Sequence, residues 1–584
     1  MTAHARDGLR ESQPICSGRT HTGIVRSMRS RGALSAAVAA LLLLPACTRA
    51  DDGDQAVLTA EALADQSGPR AWAAAPAAGD QDREEPLPIR TGWGPTADEI
   101  ERARALVADL SLKERAGQVI VARYRGTTAP TRLVNGLHLG GVVVFSDNIS
   151  SNDQIRGENR ALQRSAKAAG RRFPVTISVD QEGGLVERVT GGTRFPAFMT
   201  AGAAADPGLT RAAAAASGAE LAGLGFTTDF APDADVTVGA ADAAIGSRSA
   251  SSRPQVVAEH VVASARGYTS RGVVPVLKHF PGHGGLTTDS HLALPVQRRT
   301  AAELERTDYV PFRAGIDAGL PAVMVGHVDV RSVDPGMPSS LSTKVITGQL
   351  RDRLGFEGLV VTDALDMNAV ADRFGSARAA VRALAAGADV LLMPPSPREA
   401  RDGIVQAVRS GRLSSERLVQ AATRQVALLL HQKARGTKPK PPGSGRAVSA
   451  RWSAAAVTSV AGPCSGRLVG RTVRLTGDPT DVARLRPYLT GAGVTIATAK
   501  PKKKAKWPAT VVRLLGYGDP AGPGDVVVAL DRPYVLGASR ARVKLATYGT
   551  TPGALSALTG VLLGRQPAPG HLPVPVGGVG RTGC

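Results

Sequence analysis

Val273-Val274-Pro275-Val276-Leu277-Lys278-His279-Phe280-Pro281-Gly282-His283-Gly284-Gly285-Leu286-Thr287-Thr288-Asp289-Ser290-His291 joins an apolar run to a glycine-rich polar loop. The run suits a strand buried on both faces, as in parallel sheets covered by helices. Lys278 and His279 then stand at its carboxyl end, and the loop carries Asp289 and His291 two residues apart. In extended chain, residues i and i+2 face the same side. A carboxylate so placed orients an imidazole and raises its basicity. His279, His283 and His291 cluster here although the chain has only 10 histidines. A metal site competes with the acid/base reading, because histidine and aspartate are good zinc ligands. The loop offers no helix on which a His-x3-His pair could act and no cysteine, so no metal is expected.

Seven more short runs of the same character lie at residues 118–121, 140–145, 175–179, 227–230, 322–325, 359–362 and 390–393. Alanine-rich segments suited to helices, such as 211–224 and 377–386, separate several of them. Strand and helix alternating eight times predict an α/β fold, a (β/α)8 TIM-type barrel. Asp180, Asp229, Lys278-His279, His327 and Asp363 follow or end five of the runs. Taken singly, an aspartate at a strand end is as well explained by capping the next helix. Together they occupy the end of a barrel where active sites form. The barrel is expected over 96–432. A Lys/Pro/Gly-rich linker follows at 433–449, and then a smaller C-terminal α/β sandwich over 450–584. The strands expected there are 472–475, 494–497, 526–530 and 543–546, with a helix at 554–563. The C-terminal region carries no P-loop.

An aspartate at a strand tip can attack an anomeric carbon, and retaining glycosidases need such a nucleophile plus one acid/base. Asp363 is the candidate nucleophile, in Val360-Val361-Thr362-Asp363-Ala364-Leu365-Asp366. Asp366 is the alternative, but it falls in the following turn. His291 is the candidate acid/base with Asp289 holding its ring; Asp289 acting directly is the competing assignment.

These segments resemble the β-N-acetylglucosaminidase branch of glycoside hydrolase family 3. The similarity covers Lys278 to His291, Val179-Asp180-Gln181-Glu182-Gly183-Gly184 with Arg188, Asp229-Phe230-Ala231-Pro232, and Ile245-Gly246-Ser247-Arg248-Ser249. It runs from about residue 100 to 430 and continues more weakly through Ala546-Thr547-Tyr548 and Leu572-Pro573-Val574. The resemblance implies that Asp363 forms a glycosyl-enzyme intermediate, with His291 as acid/base and Asp289 as its partner. Asp180, Arg188, Arg248, Lys278 and His279 would hold the hydroxyls of a terminal GlcNAc, and no cofactor is implied. Two positions depart from the family pattern. Gly285-Leu286 stand where Asp-Thr is common, and Leu185 where Arg is common. The glycine is expected to loosen the loop. Expected alternatives are a GlcNAc phosphorylase using the same residues, a β-glucosidase, a non-catalytic wall-binding lipoprotein and a metal hydrolase.

Met28-Arg29-Ser30-Arg31, an apolar run from Ala33 to Leu44, and Leu44-Pro45-Ala46-Cys47 have the layout of an export leader. The ending resembles a lipobox, which would lipidate Cys47; a simple secretory signal cleaved nearby is the alternative, and Met28 is a candidate true start. The leader is expected over 1–47 and a disordered tether over 48–95. An exported chain then retains Cys464 and Cys584, which are expected to pair. The net charge of +21 favours anionic lipid or wall polymer as partners. No basic patch interleaved with aromatics points to nucleic acid. The densest basic run, Lys500 to Lys506, reads as a solvated loop.

Overall fold

The computed structural model describes residues 89–242, 244–290, 292–497 and 509–584. The leader with Cys47, most of the tether, His291 and the lysine run at 500–506 lie outside the described residues.

Eight parallel strands form the barrel: β1 (Ile120–Arg123), β2 (Gly141–Val144), β3 (Thr176–Val179), β4 (Thr228–Asp229), β5 (Val274–Phe280), β6 (Ala322–Val325), β7 (Leu359–Thr362) and β8 (Leu391–Leu392). Each pairs with its neighbours in sequence, and β8 returns to β1 through Ile120–Leu391 and Val121–Leu392. A parallel bridge between Val361 and Val390 closes the ring at β7. All eight runs read from the sequence are strands of this barrel. The strands are rich in Val and Ile and almost wholly buried, because helices cover their outer faces.

The helices show why the sequence stops and starts where it does. Helix Pro207–Leu224 opens with Asp206 accepting from Leu209 N and proline in the first turn. It ends at Gly225 in the left-handed conformation. Its alanines allow close packing on Pro254–Thr269. A Cβ built on Gly267 would lie 2.5 Å from the Arg211 carbonyl oxygen, so the two backbones nearly touch. The last barrel helix, Ser415–Arg435, buries an unbroken row from Ala421 to Leu430.

Residues 436–445 connect that helix to Arg446–Ala456. The C-terminal sheet follows: β9 (Thr458–Ala461), β10 (Thr472–Thr476), β11 (Thr495–Ile496), β12 (Thr510–Leu515), β13 (Val526–Ala529) and β14 (Val543–Ala546). Its spatial order is β9-β14-β13-β12-β10-β11, with only the β9–β14 pair antiparallel. Strands β9 and β12 and helix Pro479–Gly491 add to the elements expected from the sequence. One apolar cluster spans both domains. Met199 and Ala203 of the barrel pack with Val527, Ala529, Tyr548 and Leu572. Cys464 and Cys584 form a disulfide with their Cα atoms 5.5 Å apart.

That disulfide closes a loop of 120 residues, so the unfolded C-terminal domain loses much of its freedom. Replacing both cysteines by serine is expected to lower this domain's unfolding free energy by about 4–5 kcal/mol. Denaturant unfolding followed by a probe in the C-terminal domain measures this. An unchanged midpoint would mean that the bridge adds no stability.

Candidate active site

A cavity of about 410 Å³ opens at the carboxyl ends of the barrel strands. Asp180 follows β3, Lys278 and His279 sit on β5, and Asp363 follows β7; all four line it. Two adjacent strand residues reach the same cavity because β5 bulges there. Leu277 pairs with Val323 and Phe280 with Val325, so Lys278 and His279 together oppose the single residue Met324. A bulge re-aims side chains in this way.

The floor of the cavity is built on one carboxylate. Lys278 Nζ lies 2.6 Å from Glu182 Oε1 and 2.7 Å from Asp180 Oδ1. Arg248 binds Glu182 with two parallel bonds, Nε to Oε2 and Nη2 to Oε1, both 2.8 Å. Arg248 Nη2 also lies 3.5 Å from Asp233 Oδ2. Burial alone would raise the Glu182 carboxyl, but Arg248 and Lys278 outweigh it and hold it far below the ordinary carboxylate range. Burial likewise opposes the charge on Lys278, and Asp180 and Glu182 reverse the effect and push the amine up.

Glu182 belongs to a small hairpin, Gln181–Gly183 paired with Val186–Glu187. Gly183 and Gly184 make its turn with φ of +93° and +62°. A Cβ on Gly184 would also lie 2.7 Å from Ala197 Cβ. Gln181 locks the return strand, its side-chain oxygen accepting from Arg188 N and Val189 N at 2.9 Å. Arg188 then stacks over Phe145 at 5.1 Å on the cavity wall.

Asp363 is anchored by its own backbone, with its N–H donating to the Val325 carbonyl at 2.8 Å. Its Oδ1 accepts from Ala364 N at 2.8 Å. Burial disfavours the ionised carboxyl, yet His279, His327, the Ala364 amide and Lys278 hold it down at about 2. The group is therefore a carboxylate at neutral pH. His327 stands behind the cavity wall, bonded to Ser340 Oγ at 2.6 Å and the Ala364 carbonyl at 2.8 Å. Asp229 is also behind the wall, accepting from Gln181 N at 2.9 Å. Of the five polar strand ends in the sequence, these two support the site and do not face it.

His279 donates from Nδ1 to Asp235 Oδ2 at 2.7 Å, and the second Asp235 oxygen accepts from His283 N at 2.5 Å. Asp233, Asp235 and His279 place ligand atoms within 4.8 Å of one another, a spacing that a metal ion could use. Here those atoms already serve one another and Arg248. The Asp233 Oδ1 accepts from Asp235 N at 3.0 Å, and its Oδ2 faces the guanidinium. The set suits orientation of His279 better than metal capture. Glu182, Asp233 and Asp235 were not singled out in the sequence. The Asp-x-Asp spacing two residues beyond Ala231 was the available sign.

Asp289 and Ser290 line the cavity from the loop after β5. Ser290 Oγ lies 3.1 Å from His283 Nε2. Leu286 is buried and pins the loop, so Gly285 has an anchor beside it. Leu185, the other departure from the family pattern, is 58% exposed at the hairpin tip.

The C-terminal domain supports the loop that carries Arg248. Ser247 Oγ donates to Asp531 Oδ1 at 2.5 Å, with both side chains buried. The Pro573 carbonyl accepts from Ser251 Oγ at 2.5 Å.

Residues 111–428 match the family described as the glycosyl hydrolase family 3 N terminal domain. The chain is 32% identical to Beta-hexosaminidase A of Pseudoalteromonas piscicida over 51% of its length, which spans 55% of that protein. It is 34% identical to Beta-hexosaminidase LpqI of Mycobacterium tuberculosis, covering 58% of this chain and 85% of that one. A family 3 beta-N-acetylglucosaminidase structure from Paenibacillus sp. str. FPU-7 aligns over 80% of this chain and 99% of its own, with TM-score 0.72 and 29% identity.

Burial pushes the Asp229 carboxyl up to about 7. A protonated Asp229 in the folded state against an ionised one in the unfolded chain makes folding bind a proton. Its favourable contribution is full below about pH 4 and is lost as pH rises toward 7. Asp229→Asn keeps the bond from Gln181 N and removes the titration. The variant is expected to show a flatter Tm between pH 4 and 7 than wild type. Coincident Tm curves across that window would refute the assignment.

Proposed function

The chain belongs to glycosyl hydrolase family 3, and from that premise we propose that it is a retaining exo-β-N-acetylglucosaminidase that removes terminal β-linked GlcNAc. The observation that carries this reading is the ionised Asp363 at the mouth of β7, facing a cavity floored by Asp180, Glu182, Lys278 and Arg248. The curated relatives named beta-hexosaminidase support the choice of sugar.

In this reading Asp180, Arg188, Arg248, Lys278 and His279 bind the hydroxyls of the terminal sugar. Fork-like guanidinium donors and carboxylate acceptors suit vicinal hydroxyls. The Asp363 oxygen not held by Ala364 attacks the anomeric carbon. The glycosidic oxygen leaves with a proton from His291, whose ring Asp289 orients. A glycosyl ester on Asp363 results. Water then attacks the same carbon, giving its proton to His291 and releasing Asp363, so the sugar keeps its β configuration. His291 lies outside the described residues, and its role rests on the sequence.

The substrates that fit an exported enzyme are peptidoglycan-derived muropeptides and chitooligosaccharides. Export, lipidation at Cys47 and membrane anchoring rest on the leader from Met28 to Cys47. Attraction to anionic wall polymer rests on the net charge of +21. Among the described residues, no helix is long and apolar enough to cross a membrane.

Release of phenol from matched aryl β-GlcNAc and aryl β-glucoside tests the proposal. GlcNAc is expected to be strongly preferred, and Asp363→Asn is expected to lower kcat/KM by at least about a thousandfold. Preference for the glucoside would move the enzyme to another specificity. An Asp363→Asn variant within about tenfold of wild type would remove Asp363 as nucleophile.

A further inference from the structure

The parallel strands of the C-terminal sheet lie in the order β11-β10-β12-β13-β14. From β10 the chain steps one way to reach β11, then crosses back to β12 and continues the other way. The direction of winding therefore reverses between β10 and β12. In open α/β sheets, ligands bind in the crevice outside the carboxyl ends of the strands at such a reversal.

A cavity of about 210 Å³ occupies that position. Asp481 and Arg484 reach it from the helix after β10, Tyr517 from the turn after β12, and Asp531 from the end of β13. The barrel closes its other side with the hairpin tip at Gly184 and Leu185. The same hairpin puts Val186 into the catalytic cavity, so the two cavities lie on either side of it. None of the chemistry assigned to the barrel uses this second space.

Its surface has a definite character. Tyr517 and Leu185 are each 58% exposed, two of the few large apolar side chains left open to solvent among the described residues. The Arg532 guanidinium covers one face of the Tyr517 ring at 4.3 Å. The charges around the ring are already matched. Arg484 lies 3.1 Å from Asp481, and Arg194 lies 2.8 Å from Glu187. Asp531 accepts from Ser247, and its other oxygen lies 3.7 Å from Arg532 Nε. With these three guanidinium groups each beside a carboxylate, none of them is left over to bind a phosphate or other anion. An aromatic face with polar groups of both signs around it suits an uncharged, hydroxyl-rich ring, which can stack and hydrogen-bond at once.

We propose that this crevice is a second saccharide site, in which a sugar unit of a longer glycan stacks on Tyr517. Its ligand class rests on the glycosidase reading above. The site itself rests on the topology of the C-terminal sheet and the exposed ring. It gives the enzyme a hold on oligosaccharides that a single GlcNAc does not exploit.

Calorimetric titration of full-length Asp363→Asn protein with GlcNAc and with chitotriose tests this without turnover. Adding Tyr517→Ala is expected to weaken chitotriose binding by about three- to tenfold, the loss of one stacking contact. GlcNAc binding is expected to change by less than about twofold. Tyr517→Phe in the same background keeps the ring and is expected to retain the chitotriose affinity of Asp363→Asn. An unchanged chitotriose affinity in Tyr517→Ala, or equal losses for both sugars, would overturn the second site and leave the catalytic reading standing. Failure of Asp363→Asn to bind either sugar would overturn both.

Discussion

Everything in the catalytic cavity depends on the sharing of Glu182 between Lys278 and Arg248. The three groups come from three different parts of the chain: the hairpin after β3, the bulge of β5, and the turn Gly246–Arg248. Each charge is buried, and each would be costly alone. Together they fix one another, and through Lys278 they fix Asp180. Lys278, so fixed, is one of the groups that keep Asp363 ionised; His279, His327 and the Ala364 amide act with it to outweigh the cost of desolvation. The charge state of Asp363 is thus a property of the groups packed around it.

Much of the barrel was legible from the chain. Strands buried on both faces must be continuously apolar, and helices between them must be punctuated by caps, so all eight strands announce themselves. The polar residues at their ends were equally visible, but whether a strand-end group faces the cavity or the wall behind it was not. Asp229 and His327 look like Asp180 and Asp363 in sequence, yet they bond backwards to Gln181 and Ala364. That difference lies in which backbone groups they meet, which hydrophobic pattern does not encode. Glu182 and Asp235 were passed over for a related reason: their partners lie far away in the chain.

The C-terminal domain was harder to read. Its strand β12, Thr510–Leu515, follows the lysine-rich run and carries Arg513 amid apolar residues, so it lacks a clean period. Helix Pro479–Gly491 contains an internal Pro487 and reads as broken. Only the pairing of strands reveals that the sheet reverses direction at β10 and β12, and with that reversal comes a crevice aimed at the barrel.

The contact of Pro573 with Ser251 has a consequence in time as well as in space. Arg248 sits in a loop whose outer side is held by Asp531 and by a carbonyl close to the end of the chain. A barrel emerging during synthesis has its strands and Asp363 long before that carbonyl exists. The loop that carries Arg248 acquires its full support only once Asp531 and Pro573 are in place. The geometry of the Arg248 loop therefore waits on residues made 284 and 322 positions after their partners, and the barrel alone does not complete it.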